Sequence, residues 1–220
     1  LWAKAIRGIG DGFPTAITLD SRNNVILNGF FSGKEIFFDS ISLKNLYPNS
    51  YDDVFTVKYD QNGNVQWARS VAGSKDEYSS SIGTDQNDNI YTTGYFHSDT
   101  IDFGSYQVYR SPSIGYYEDL YYAKYNSFGN LLWAKSINNG NCGGLEIIDL
   151  SVLSNGEFYL FGTYDSIVFK KGDIILPYVG GATDIFLIKF DKDGIPILSN
   201  SIGGTEYEVP IDATLDMDEN

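Results

Sequence analysis

Polar and apolar residues along the chain fall into short blocks, and no window sustains the three-to-four-residue spacing that one apolar helix face requires. The blocks DVFTVKY at 53–59, DLYYAKY at 119–125 and DIFLIKF at 184–190 are rich in β-branched and aromatic residues and read as strands. Each runs into a polar turn, Asp60-Gln61-Asn62-Gly63-Asn64, Asn126-Ser127-Phe128-Gly129-Asn130 or Asp191-Lys192-Asp193-Gly194, and then into a second strand. Gly in these turns supplies a positive φ, and the leading Asp or Asn can bond the local backbone, so each block pair predicts a hairpin. A second set of phrases, AITLDSRNNVILNGFF, SIGTDQNDNIYTTGYF and LSVLSNGEFYLFGTY, predicts a strand, a polar turn and a longer strand. Gly29, Gly94 and Gly162 sit at matching places in the three.

The two sets alternate with a fixed step. Trp2, Trp67 and Trp133 are 65 and 66 residues apart, and one more step reaches Leu198 in IPILSNSIGG. Asp53, Asp119 and Asp184 keep the step, and Lys58, Lys124 and Lys189 follow each by five. A period of this length marks a repeat architecture. In the first repeat the predicted strands are a, about residues 16–20; b, about 25–31; c, about 54–59; and d, about 65–71. The a–b and c–d joints are tight, whereas the b–c and d–a joints are longer and more varied.

Strand c decides how the repeats sit together. Ile185 and Leu187 fall on one side and Phe186, Ile188 and Phe190 on the other, so both faces are apolar. A strand of this kind belongs to a sheet covered on both sides. Four-stranded antiparallel meanders at a fixed period, each stacked between copies of itself, are the blades of an all-β propeller. The Trp opens strand d, the outermost, where an aromatic can cover the seam against the next blade.

The phrase DVFTVKYDQNGNVQWARSVAG, followed by SSSIGTDQNDNIYTTGYF and TIDFGS, resembles the bacterial β-propeller repeat called SBBP, over nearly the whole chain. The resemblance implies a toroidal propeller in a modular exported protein, hence an extracellular or cell-surface location in a bacterium, and it brings no defined catalytic residues. The third repeat departs from the pattern, with Leu153 where strand a has Asp, a longer loop over 138–144 (NNGNCGG), and Leu198 in place of the Trp. The repeats run 1–10 (outer strand alone), 11–73, 74–138, 139–204 and 205–220 (first strand alone). About three complete blades and two partial ones fall short of the roughly four to eight of a closed ring. The expectation is therefore one partial propeller domain over 1–220, its remaining blades supplied by flanking sequence, with LWAK at the start being the inside of a repeat rather than a signal peptide.

Charge removes several partners. With 15 Lys and Arg against 29 Asp and Glu, the formal net charge is −14, which repels nucleic acid and anionic membrane surfaces. No run approaches the roughly 18–20 apolar residues of a spanning helix, so no membrane insertion is expected. Cys142 stands alone, which excludes an internal disulfide and a thiolate cluster, and no Asn-x-Ser/Thr sequon occurs.

Candidate binding residues cluster in the long joints, which gather on one face of a propeller around its channel. Asp11 and Asp76 occupy matching places in the d–a loops, as do Glu77 and Glu208, with Glu146 and Glu206 nearby. A ring of carboxylates could hold a cation, with calcium the candidate, or a polycationic partner. The b–c segment YQVYRSPSIGYYEDLYYAKY holds seven Tyr; Tyr121, Tyr122 and Tyr125 fall on strand c and read as packing. Tyr106, Tyr109, Tyr116 and Tyr117 are the candidates for contact with a protein or glycan. The turns at Asp60 and Asp191 resemble the opening of a calcium loop, but position twelve is Val71 or Ile202 rather than Glu, and turn chemistry accounts for them. His97, the single histidine, reads as a surface residue, and no residue is assigned as catalytic, no cofactor and no metal ligand. The leading expectation is a non-catalytic scaffold or binding module. A carbohydrate-active hydrolase or lyase using carboxylates and Tyr at the channel mouth, and a structural repeat of an extracellular filament, are the alternatives.

Overall fold

The computed structural model describes residues 2–45, 47, 51–110, 118–137, 145–165, 168–171, 174–177 and 183–216. Every regular element among them is a strand. Three four-stranded antiparallel sheets follow one another along the chain. The first comprises β2 (Gly12–Leu19), β3 (Val25–Phe31), β6 (Asp53–Tyr59) and β7 (Val65–Val71). The second comprises β8 (Glu77–Thr84), β9 (Ile90–Phe96), β12 (Asp119–Tyr125) and β13 (Leu131–Ile137). The third comprises β14 (Leu145–Val152), β15 (Phe158–Tyr164), β18 (Asp184–Phe190) and β19 (Pro196–Ile202). Within each sheet the order in space is the order in sequence, as the a, b, c, d reading expects. The first strands β2, β8 and β14 pack on one another from sheet to sheet, which sets them at the inner edge and the fourth strands at the outer.

The turns show why these residues fold this way. In Asp60–Asn64 the Asp60 Oδ1 accepts the backbone N–H groups of Asn62 and Asn64, each at 2.8 Å, and Gly63 takes φ +83°. The same bonds recur at Asp20, Asp85, Asn126 and Asp191, and the positive-φ position is Asn23, Asp88, Gly129 or Gly194. The carboxylate that resembled a calcium ligand is therefore occupied in building its own turn.

Strand a is longer than expected in the first sheet, beginning at Gly12 rather than near Ala16. A register shift lies inside all three first strands, between Pro14 and Ala16, Ser79 and Ile82, and Ile147 and Asp149. A bulge at the same place in each breaks the simple alternation of strand a. The b–c joints, read as loops, contain hairpins: β4 (Glu35–Phe38) with β5 (Ile41–Lys44), β10 (Thr100–Asp102) with β11 (Gln107–Tyr109), and β16 (Val168–Lys171) with β17 (Ile174–Pro177). Each lies over the outer strand of its own sheet, burying Ile36 and Phe38, Ile101 and Phe103, or Leu176.

The two partial repeats differ from expectation. Only Arg7–Ile9 (β1) is a strand in the first, and it pairs with β4, just as Ala72 at the end of β7 bridges Asp102 in β10. The outer strand of one repeat thus ends on the rim hairpin of the next. Among the described residues of 205–220 no strand forms; Tyr207 makes one parallel bridge to Thr183, and Ala213–Leu215 lie against Tyr159, Phe161 and Leu187 of the third sheet.

The core lies between sheets. Ile26, Val54, Trp67 and Val71 of the first sheet pack with Ile82, Ile90, Phe96 and Tyr121 of the second, and Tyr91, Leu120 and Tyr122 of the second pack with Phe158, Leu160 and Phe190 of the third. Each Trp closes a seam by reaching the c–d turn of the following sheet. Trp67 Nε1 donates to Ser127 O at 3.2 Å and its ring covers Gly129, Trp133 covers Gly194, and Trp2 covers Gly63 with Nε1 donating to Gln61 O at 3.0 Å. A Cβ on Gly129 would sit 2.6 Å from the Trp67 ring, so glycine is required there twice, for φ and for space.

Candidate functional site

Two faces of the stack carry polar chemistry. On the face of the long joints, the seam between the first and second sheets gathers carboxylates from three short segments. Asp76 Oδ1 accepts the backbone N–H of Asp52 at 3.0 Å, and the Asp52 carbonyl accepts the N–H of Glu77 at 2.8 Å. These bonds place Asp52, Asp53, Asp76 and Glu77 together, with Asp11 near enough to act on Asp52. Burial raises the Asp52 carboxyl above its ordinary value, and the neighbouring Asp76 and Asp11 charges add to the rise.

Beneath them Glu77 is wholly buried, with Ser98 the hydrogen-bonding group beside its carboxylate. Burial pushes its carboxyl up to about 8; nearby Ser98 opposes the rise, and Asp53 and Asp76 reinforce it. At neutral pH Glu77 is therefore mostly an uncharged acid facing Asp53, whose Oδ1 takes the Gly73 N–H at 3.4 Å. The motif recurs at the far end: Glu208 N donates to Thr183 O at 3.4 Å, next to Asp184, as Glu77 N donates to Asp52 O next to Asp53.

The structure thus brings together Asp11, Asp76 and Glu77. Glu208 lies in its own seam at the third sheet. Tyr106 and Tyr109 lie on the rim hairpin, 55% and 66% exposed, beside an open hollow of about 490 Å³ with Asp102 and Gln107, and not with the acidic group. Tyr116, Tyr117 and Cys142 lie outside the described residues. His97 is half-buried rather than a plain surface residue: Nε2 is 3.3 Å from Glu118 Oε2 and Nδ1 is 3.2 Å from the Asp76 carbonyl. Among the described residues no three His, Cys, Asp or Glu side chains converge as a metal site would.

On the opposite face, that of the tight turns, each seam holds a buried ion pair. Lys58 Nζ is 2.8 Å from Asp20 and Lys124 Nζ 3.4 Å from Asp85, all with side chains at least nine-tenths buried. Burial would raise the Asp20 carboxyl, but Lys58 and the N–H groups of Asn24 and Arg22 outweigh it and hold it below the ordinary value. In the third repeat Leu153 replaces the Asp, and Glu157, at the place of Asn24 and Asn89, takes Lys189 at 2.7 Å instead. Sequence reading noticed Lys58, Lys124 and Lys189 as marks of the period but missed their charge partners; the exchange of Asp and Asn for Leu and Glu was the available signal.

Antiparallel four-stranded sheets in series, inner strands together and cores between sheets, define a β-propeller repeat protein. Within that class, residues 66–98 match the family model of the SBBP β-propeller repeat, the segment from the outer strand of the first sheet through the first two strands of the second. The chain is also similar to an uncharacterized WD repeat-containing protein of Acanthamoeba polyphaga mimivirus, 28% identical over 242 aligned positions that take in 93% of this chain. The chain spans 17% of that relative's length. What the fold and these likenesses establish is a repeat scaffold.

Proposed function

We propose that the chain is a non-catalytic propeller segment of a secreted or cell-surface protein, and that it presents its acidic long-joint face to a basic protein segment. The observation that carries this reading is the crowding of Asp11, Asp52 and Asp76 at one seam, where the Asp52 N–H bonds Asp76 Oδ1 and burial, joined by the Asp76 and Asp11 charges, raises the Asp52 carboxyl. Carboxylates that repel one another are relieved when a cationic partner docks, and a field of one sign steers such a partner in. The SBBP likeness supports the exported setting. The acid pair Asp53 and Glu77, the group most like an acid catalyst, is buried, and the candidate Tyr106 and Tyr109 are on the rim; both points favour binding over glycoside cleavage.

Flanking blades complete the proposal. Ile17 and Leu19 of β2 are exposed at one end of the stack, and Ile195, Ile197 and Leu198 at the other, as faces awaiting further blades would be. The test is binding of a fluorescent decalysine peptide. The triple variant D11N/D52N/D76N, which keeps the oxygen that accepts the Asp52 N–H, is expected to weaken binding at least tenfold at low salt. Unchanged affinity would overturn the reading.

A further inference from the structure

The tight-turn face holds a hollow of about 530 Å³ across the seam between the first and second sheets. Its size lies within the roughly 300–1,000 Å³ of small-ligand sites. Arg22, Gln66, Arg69 and Phe128 line it, around Trp67 and the Lys58–Asp20 pair. The repeat supplies an internal control. Asp20, Lys58 and Trp67 recur at the next seam as Asp85, Lys124 and Trp133, so they belong to the blade itself. Arg22, Gln66 and Phe128 do not recur and become Asn87, Leu132 and Asp193, while Arg69 keeps its charge as Lys135, which likewise reaches the following turn at Gly194 O and lies 5.7 Å from the Trp133 ring centre.

Those departures have a physical direction. Phe128 is 74% exposed in a turn whose other copies place polar Asn62 or Asp193 at the same position, so turn formation has no need of an aromatic. Gln66 occupies the bulge of strand d, between Val65 and Trp67, where a bulge re-aims a side chain. Arg69 is held in place by Nε donating to Gly129 O at 2.7 Å and Nη1 to Ala68 O at 2.8 Å, with its guanidinium 5.7 Å from the Trp67 ring centre. A guanidinium has five N–H donors, and a planar, pre-oriented one suits a carboxylate. The hollow holds three cations against two carboxylates, in a chain of net charge −14. Lys58 is already matched by Asp20, and Asp88 accepts the Ser21 N–H and hydroxyl at 2.8 and 3.0 Å.

We propose that this hollow binds a small acidic saccharide, its carboxylate held by Arg22 and Arg69, its ring lying on Phe128 and its hydroxyls meeting Gln66. The site is independent of the acidic face, and it survives if that reading fails. Isothermal titration with digalacturonate, with diglucuronate and dimannuronate as companions, tests it. The expected result is saturable binding to at least one of the three, weakened tenfold or more by R22Q and by F128S, both at exposed positions and both checked for an unchanged melting temperature. The variant D11N/D52N/D76N should bind the saccharide as the unaltered chain does. Absence of binding to all three would overturn the proposal, as would equal affinity for neutral galactobiose, equal affinity for inorganic phosphate, or indifference to both substitutions.

Discussion

Replacing Gly129 by Ala tests the seam from the turn side. Gly129 sits at φ +73°, with the Trp67 ring 2.6 Å from where a Cβ would stand. Gly104, in the rim hairpin, sits at φ +87° with nothing within 4 Å of that point. Both substitutions impose the left-handed backbone on Ala, about 1–2 kcal/mol, and both recover the same part of it by stiffening the unfolded chain. Only G129A must also push an indole that is 6% exposed and hydrogen-bonded to Ser127 O. Overpacking a close-fitted site costs about 1–3 kcal/mol, so G129A should exceed G104A by about 2 kcal/mol, which is roughly 4–8 °C of melting temperature at this chain length. Urea unfolding of both variants measures the difference. A double-mutant cycle with W67A adds the cause: once the indole is gone, G129A should cost no more than G104A. Equal destabilisation by the two single variants, or additivity in the cycle, would refute the claim that Trp67 is seated on the neighbouring turn.

Three more outcomes follow from the charges. Asp20→Ala leaves Lys58 charged and buried, and should cost about 3–5 kcal/mol in urea unfolding at pH 7; because the folded Asp20 carboxyl is held below its ordinary value, the pair's contribution is present above about pH 4 and is lost as acid takes the pH through the lower folded value. Glu77 has the opposite sign, since its folded value of about 8 lies above the ordinary 4.5: its contribution is complete below pH 4.5 and is lost as the pH rises to about 8. E77Q, or E77L with the residue that Leu145 provides at the matching place, should therefore flatten the fall in melting temperature between pH 5 and 9, and a fall of unchanged slope would contradict the buried acid. In the third repeat, E157N alone should lower stability by roughly 1 kcal/mol, as its pair is partly exposed, while L153D together with E157N should recover much of it by rebuilding the arrangement of the first two repeats; simple additivity in thermal melts would contradict the exchange.

Much of the fold was legible because strands b, c and d carry long, repeated signals. DVFTVKY and its copies are apolar on both faces, and their turns combine Asp or Asn with Gly or another positive-φ residue. The rim hairpins were missed because strands of three or four residues, such as Glu35–Phe38 and Thr100–Asp102, are too short for alternation to stand out. Their signal was present in Ile36-x-Phe38 and Ile101-x-Phe103, each followed by Asp39 or Gly104 at positive φ. The grouping of Asp11 with Asp76 could be read from the period, since matching d–a positions meet on one face. That Glu77 is buried, and that Tyr106 and Tyr109 turn to the rim, could not be read, because both depend on how a long joint folds back over its own sheet. The pocket residues Arg22, Gln66 and Phe128 were visible only as breaks in a repeat, and a break acquires meaning once three dimensions put several of them around one hollow.

Each Trp seals its repeat by inserting into the turn of the next repeat rather than that of its own. Nuclear Overhauser contacts from the Trp indoles to glycine α protons test it directly. The account predicts cross-peaks from Trp67 to Gly129 and from Trp133 to Gly194, with those glycine protons shifted by the ring current. Cross-peaks from Trp67 to Gly63 and from Trp133 to Gly129, the turns preceding each Trp in its own repeat, in place of those to the next repeat would contradict it.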